Sequence, residues 1–378
     1  MLTLSYFHDG EIGTNRASTI QVLKNCNAFQ QIGFSVTLYT PLMKDLDIKQ
    51  ARSLYDIDNR IQIVQTIYSG IAKFILNTLF MLGYFIIKRD KSQIVYTRNF
   101  YFAFLIGLTQ RVVVFECHQY KFEPAFHTYL QWIILKMMTG RHNFLLVVIS
   151  ETLKLILNQN GIHMPMLVCH DGYDDKSDQS DTPDMFSSLD RSRYDAVAMY
   201  AGSLTYNKGL DHIDYLVRMN RNVLFYIIGN TTSFCDPDMV TRLQQHANVI
   251  LSGLIEHSRV SAYLKHADIL LLLPTSAGVY NSVTSPLKLF EYMHAGKAIL
   301  ATDGPSLQEI IQDGHNGLLA SDDNDAINDR FRLLVSKPEL RENLGRNAKQ
   351  GVWKYSWKQR ATRIMDYLVE QKILNPLH

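Results

Sequence analysis

The sequence predicts an α/β protein made of two doubly wound domains, and three observations carry that reading. Short apolar runs alternate with amphipathic stretches from end to end, the pattern of parallel sheets covered by helices. The runs fall into two series: "LTLSYF", "SVTLYT", "QIVYT", "VVVFECH", "LLVVIS" and "MLVCH", then "AVAMYAG", "VLFYIIG", "NVILSG", "ILLLLP" and "KAILAT". Between the series, "DDKSDQSDTPDMFSSLDRSR" (174–193) is polar, acidic and nearly free of apolar side chains, which marks a linker. The predicted domains are therefore 1–175 and 196–355, joined by a linker over 176–195. The C-terminal "YSWKQRATRIMDYLVEQ" carries Ile364, Tyr367 and Leu368 at helical spacing, which predicts a helix over about 356–378; a separate expectation is that it packs back onto the first domain.

Composition narrows the function classes. The chain has 378 residues, long for one core and suited to two domains of ordinary size. A net charge of +2 gives no basic face for nucleic acid. Cys26, Cys117, Cys169 and Cys235 are scattered without metal or disulfide spacing, which suits a reducing, cytoplasmic compartment. The first residues, "MLTLSYFHDG", lack the basic and apolar regions of a signal peptide. The most apolar stretch, "FILNTLFMLGYFII" (74–87), is too short to span a bilayer, which needs about 20 residues. It reads as a buried helix or, because Lys88, Arg89 and Lys91 follow it, as a helix lying on the inner face of a membrane.

Ligands of doubly wound sheets bind beyond the carboxyl ends of the strands, and two such sheets facing across a cleft would place the site there. Strand ends therefore supply the candidates. After the first strand, "HDGEIGTNRAST" offers Gly10 and Gly13 for close backbone approach and Arg16 for charge. It is not a GxGxxG fingerprint, and the second strand ends in Thr40-Pro41 with no acidic ribose ligand, which weakens a dinucleotide reading. "IVYTRN" puts Arg98 at a strand end, and "VVVFECHQY" delivers Glu116 and His118, two apart and so on one side of the strand. His118 reads equally as a ligand contact or a satisfied structural histidine.

In the second series, "YAGSLTYNKGLDHI" places Lys208 in a βα loop, where a lysine can neutralise a phosphate oxygen or simply sit in solvent beside Gly209. "SVTSPLKLFEYMHAGKAILATD" (282–303) predicts an N-cap at Ser285 and Pro286 at the first helical position. The amides of Leu287 and Lys288, the dipole and the Lys288 charge would together hold a diphosphate. Glu291 could accept from a ribose diol, although on spacing alone Lys288 and Glu291 also read as an exposed i,i+3 pair. The triplets Asp45-x-Asp47, Asp56-x-Asp58 and Asp236-x-Asp238 are close to chance among 36 acidic residues, so no metal is assigned.

Taken in order, these segments resemble the family 4, or group 1, glycosyltransferases of GT-B fold, which have two Rossmann-like domains. "ASTIQVLKNCNAFQQIGFSVTLYT", "VVISETLKLILNQNGI" with "VCHDGYD", "AGSLTYNKGLD", "SPLKLFEYMHAGKAILATD" and "DGHNGLL" carry the likeness over nearly the whole chain, in the Ser-Pro-x-Lys-Leu-Phe-Glu-Tyr branch. The resemblance implies that Glu291 binds the nucleotide ribose, and that Lys208 and the Leu287 and Lys288 amides meet the donor diphosphate. It sets His118 near the donor sugar, Gly13 in the glycine-bearing loop, and Ile255 where the base is read through main chain. Two positions depart from the family pattern: Val283 stands where the first glutamate would be, and Ser203 where an arginine would be. Asn281 and Ser282 are the candidate substitutes for sugar recognition, with Arg16, Arg98 and Glu116 as further donor-sugar or acceptor contacts.

The resemblance implies a metal-independent, retaining transfer of a sugar from a UDP- or GDP-sugar to a hydroxyl of a glycan or glycolipid, with no cofactor beyond the donor. Leaving-group stabilisation by Lys208 and the helix end, with domain closure, would carry it. Expected partners are a nucleotide sugar and a glycan or lipid-linked acceptor, in polysaccharide or glycoconjugate biosynthesis. A GT-B sugar-nucleotide epimerase and a catalytically degraded carbohydrate-binding homologue are the alternatives.

Overall fold

The computed structural model describes residues 2–13, 16–43, 46–66, 79, 82–83, 93–109, 111–118, 126–174, 190–229, 237–275 and 283–374. The chain divides into two compact units, one of Met1–Asp171 with Trp357–His378 and one of Gly172–Ser356. Most of the expected linker and of the apolar stretch 74–87 lies outside the described residues.

Among the described residues the first unit holds a parallel sheet of seven strands: β1 (Thr3–Phe7), β2 (Ser35–Pro41), β3 (Gln62–Thr66), β4 (Ile94–Thr97), β5 (Val112–Cys117), β6 (Phe144–Val148) and β7 (Met166–Val168). Their order is β3-β2-β1-β4-β5-β6-β7. The central strands read as continuous apolar runs because both faces are covered, and β4 and β6 are buried throughout. β3 was not among the expected strands; "QIVQT" has two glutamines and a partly wet edge position, so its apolar signal is weak. Asn99 and Ser150 cap the helices Phe100–Gly107 and Glu151–Gln159, accepting from the amides of Phe102 and Leu153 at 3.0 and 3.1 Å. The C-terminal helix Trp357–Glu370 packs on the helix Ala17–Gln31 of the same unit. Arg363 donates to the Val168 carbonyl at 3.2 Å, and the Tyr367 hydroxyl to that of Met166 at 3.3 Å.

The second unit repeats the plan with β8 (Ala196–Ala201), β9 (Val223–Ile228), β10 (Val249–Gly253), β11 (Ile269–Leu272), β12 (Ala298–Thr302) and β13 (Leu318–Ala320). The order is β10-β9-β8-β11-β12-β13, with every pairing parallel. β13 was also unexpected, since three residues are too few to show a period. Side chains alternating along β8 feed two separate cores: Val197 and Met199 on one face, Ala198 and Tyr200 on the other. In both sheets the strand order reverses once, between β1 and β4 and between β8 and β11. A doubly wound sheet opens a ligand crevice at that point.

Candidate functional site

In the second unit the switch point gathers two lysines. β8 ends at Ala201, and the chain passes Gly202 into a short turn, Tyr206–Lys208, closed by Gly209 in the left-handed region at φ 79°. A Cβ on Gly209 would lie 1.8 Å from the Leu273 carbonyl oxygen, so only glycine lets this turn press against the end of β11. That close approach places Lys208 directly over the strand ends.

The second lysine comes from the helix Leu287–Ala295, which buries Leu289, Phe290, Tyr292 and Met293. Its Tyr292 hydroxyl accepts from the Ala201 amide at 3.0 Å, tying the helix to the end of β8. The start of this helix corrects the expectation from sequence. Pro286 is the cap, in extended backbone, and Leu287 is the first helical residue. Ser285 is buried one residue earlier, because the extended backbone at Pro286 delays the helix. The first amides of a helix have no intrahelical partner, so Leu287 and Lys288 still present theirs. Val283 is buried, 3% exposed.

Lys288 turns inward to Tyr200 instead of running along the helix surface to Glu291. Its Nζ donates to the Tyr200 hydroxyl at 3.2 Å and lies 4.3 Å from the ring centroid. Gly202 makes room for it: a Cβ there would meet the Lys288 Nζ at 1.7 Å. Burial, then the charge of Lys208, pushes the Lys288 ammonium down to about 7, against the pull of Glu291. Burial lowers Lys208 as well. Two lysines shielded from water, the charge of one acting on the other, make a place suited to an anion. Glu291 sits one turn along the same helix, partly exposed. Ile255 lies in the segment after β10 and packs against the core of this unit. Asn281 and Ser282 fall outside the described residues.

In the first unit the candidates separate. Gly13 lies in the loop after β1 with φ 112°, packed against Met43. Arg16 is exposed at the start of the helix Ala17–Gln31. Arg98, at the end of β4, donates to the Ser18 carbonyl at 3.3 Å and to Gln21 Oε1 at 2.9 Å. Glu116 is buried, and both its oxygens are engaged: Gln21 and His118 on one, the Tyr96 hydroxyl and Arg360 on the other. It therefore supports His118 and does not face a ligand. Burial opposes its ionisation, but Arg360 foremost and then His118 hold it well below the usual carboxylate range. Burial and Arg98 take His118 down to about 4 against the pull of Glu116, so the ring is neutral at neutral pH. Asp171 is pushed up to about 7 by burial, against Arg360.

Glu116, His118 and Asp171 have ligand atoms within 4.8 Å of one another, the kind of set that can hold a metal. Arg360 and Arg98 already act on the same groups, and their positive charge opposes a cation there. Arg360 and Tyr200 are the residues that sequence reasoning missed. Arg360 carried a signal: it shares the apolar stripe of Trp357, Ala361, Ile364 and Leu368, all buried, and a charge on such a stripe needs a partner.

The two parallel, doubly wound sheets give the chain the fold of the GT-B glycosyltransferases. Over 98% of its length it is similar in structure to a sucrose-phosphate synthase of Thermosynechococcus elongatus, with a TM-score of 0.76, 14% identity and 99% of that chain covered. It is likewise similar to Anabaena HepE solved with UDP-glucose, with a TM-score of 0.73, 14% identity and 98% and 100% of the two chains covered. WaaG, a glycosyltransferase involved in lipopolysaccharide biosynthesis, gives a TM-score of 0.68 at 13% identity, over 96% of this chain and 98% of that one. In sequence, residues 181–351 match the family model described as "Glycosyl transferases group 1". An uncharacterized glycosyltransferase of Methanocaldococcus jannaschii is 26% identical over 163 residues, 43% of this chain and 44% of that protein. The matched stretch is thus less than half the length of that relative.

Proposed function

We propose that the chain is a retaining glycosyltransferase that moves a sugar from a UDP- or GDP-sugar to a hydroxyl of a glycan or glycolipid. The carrying observation is the Lys208–Lys288 pair, two cations brought together with restricted access to water at the β8/β11 switch point. A donor diphosphate supplies the charge this site lacks. The Leu287 and Lys288 amides and the positive helix end bind it, and Glu291 accepts from the ribose. Charge builds on the leaving diphosphate as the glycosidic bond breaks, and donors fixed in advance there stabilise the transition state more than the ground state. Lysines and amides neutralise the diphosphate, so transfer is expected to continue in EDTA.

UDP-glucose in HepE supports a nucleotide-sugar donor, while the choice of base and sugar rests on experiment. No helix among the described residues is long and apolar enough to cross a membrane. We place the enzyme in the cytoplasm, meeting its acceptor at or near the membrane's inner face. The test is a screen of UDP- and GDP-sugars with glycan and glycolipid acceptors. Lys208→Ala should lower transfer about 10²–10³-fold with the melting temperature unchanged. Transfer unchanged in that variant removes Lys208 from the site. A buried valine at 283 leaves open a carbohydrate-binding homologue without activity, which any detected transfer excludes.

A further inference from the structure

Building on the proposed sugar transfer, and on His118 as the residue the family resemblance sets near the donor sugar, we infer that Arg360 is a positioning residue for His118. By holding Glu116 as a carboxylate, Arg360 fixes His118 as the tautomer protonated on Nε2 and leaves Nδ1 as an acceptor for a substrate hydroxyl.

The hydrogen-bond network sets each proton in turn. Arg98 Nη1 donates to Gln21 Oε1 at 2.9 Å, so the Gln21 amide turns its nitrogen to Glu116. An ionised carboxylate only accepts. Glu116 Oε1 faces the Gln21 nitrogen and His118 Nε2, and Oε2 faces the Tyr96 hydroxyl and Arg360 Nη2, the last at 3.1 Å. Gln21 Nε2 also lies 3.4 Å from His118 Nε2, a longer contact than those to the carboxylate. With Arg360 paired to it as an ion, an ionised Glu116 accepts from Gln21, Tyr96 and His118 together, and Nε2 then carries the hydrogen. Among the described residues His118 Nδ1 has no hydrogen bond, and the ring is 19% exposed while Glu116 is 0% exposed. The Nε2 edge of the imidazole is thus held by Glu116.

Arg360 is itself immobile. Its side chain is 2% exposed, and it donates to Asn25 Oδ1 at 2.7 Å, the His170 carbonyl at 3.0 Å and the Tyr96 hydroxyl at 3.3 Å. The charged and titratable groups around the pair are Arg98 from β4, Asp171 and Cys169 after β7, Tyr96 on β4, Tyr6 on β1 and Arg360 from the C-terminal helix. Without Arg360, a carboxyl with this much burial gains a proton. It then donates to Nε2, and the ring hydrogen moves to Nδ1, which ends its role as acceptor.

The experiment uses the full chain labelled with ¹⁵N-histidine, with His118 assigned by comparison with His118→Gln. The native protein at neutral pH should show a protonated Nε2 and a lone-pair Nδ1. Arg360→Met, checked for folding by circular dichroism, should move the hydrogen toward Nδ1 and lower kcat about 10²–10⁴-fold. KM for the donor should change little, and Arg360→Lys should recover part of kcat. A native His118 protonated on Nδ1 overturns the inference without any Arg360 variant. So does an unchanged tautomer in folded Arg360→Met. The native tautomer with no transfer from any nucleotide sugar would instead defeat the proposed reaction and leave the positioning role supported.

Discussion

The two units solve opposite electrostatic problems on the same sheet plan. At the end of β5 the first unit buries a carboxylate, a guanidinium and an imidazole whose charges answer one another: Glu116 lies between Arg360 and His118 with both oxygens engaged. At the β8/β11 switch point the second unit brings Lys208 toward Lys288, with Glu291 opposing them among the described residues and the Tyr200 ring against Lys288. Among the described residues the charges of the first cluster offset one another, whereas the second carries excess positive charge. Internal completeness belongs to a device that orients a side chain, whereas excess charge belongs to a site that waits for a charged molecule.

The sharpest way to break this comparison is to remove one charge from each cluster. Glu116→Ala leaves Arg360 as an uncompensated buried cation and should destabilise the chain by about 3–5 kcal/mol. Thermal or urea unfolding checks it, and a loss below about 1 kcal/mol would mean that the first cluster is not a closed ion network.

That cluster also shows what the sequence could convey. β5 was legible because Val112–Cys117 is a continuous apolar run, and its end brought out Glu116 and His118 as a pair. Their partner was not legible, because Arg360 arrives on a helix from the far end of the chain and no local period links the two segments. Lys208 and Lys288 were each read from their own loop or helix start. Their mutual effect appears only when β8 and β11 lie side by side. The cap at Pro286 was misread by one residue, since a proline suits both the first helical position and an extended cap. Edge strands β3 and β13 escaped because short or half-wet strands lack an apolar run.

Glycines at the two sites give the next effect. Gly209→Ala sets a Cβ 1.8 Å from a backbone carbonyl at φ 79° and should cost about 2–3 kcal/mol, since backbone cannot yield. Gly13→Ala at φ 112° meets the Met43 side chain at 2.7 Å, which can rotate away. Its cost should be nearer 1–2 kcal/mol, roughly the positive-φ strain alone. Equal losses in calorimetry would show that the turn carrying Lys208 is less tightly packed on β11 than drawn.

Lys288→Met should act opposite to Glu116→Ala and stabilise the unliganded chain by about 1–2 kcal/mol near neutral pH, net of the lost contact with Tyr200. The sign follows from linkage. The Lys288 ammonium is held at about 7, below its ordinary 10.5, so the folded chain binds fewer protons than the unfolded one between those values. Stability from this group is complete above the unfolded value and is lost as pH falls toward about 7. The advantage of the variant should therefore grow on acidification from about pH 10 to about pH 7 and then level off. A gap that is flat across this range would show that Lys288 keeps an ordinary ammonium.

The smallest effect is the most direct probe of the second unit. With Lys288 at about 7, this lysine is about half charged at neutral pH before any ligand arrives. A donor diphosphate favours the ammonium, so binding should draw in a fraction of a proton. Calorimetric titration of a UDP-sugar in buffers of different ionisation enthalpy measures that uptake directly. A diphosphate diester does not itself titrate in this range, so any uptake belongs to the protein. Affinity should rise as pH is lowered from about 8.5 toward 7, by at most about tenfold per unit, and level off below. In Lys288→Met both the uptake and the slope should vanish while weak binding persists through Lys208 and the helix amides. Binding without proton uptake in the native chain would take the diphosphate away from Lys288 and leave Lys208 as its one lysine contact.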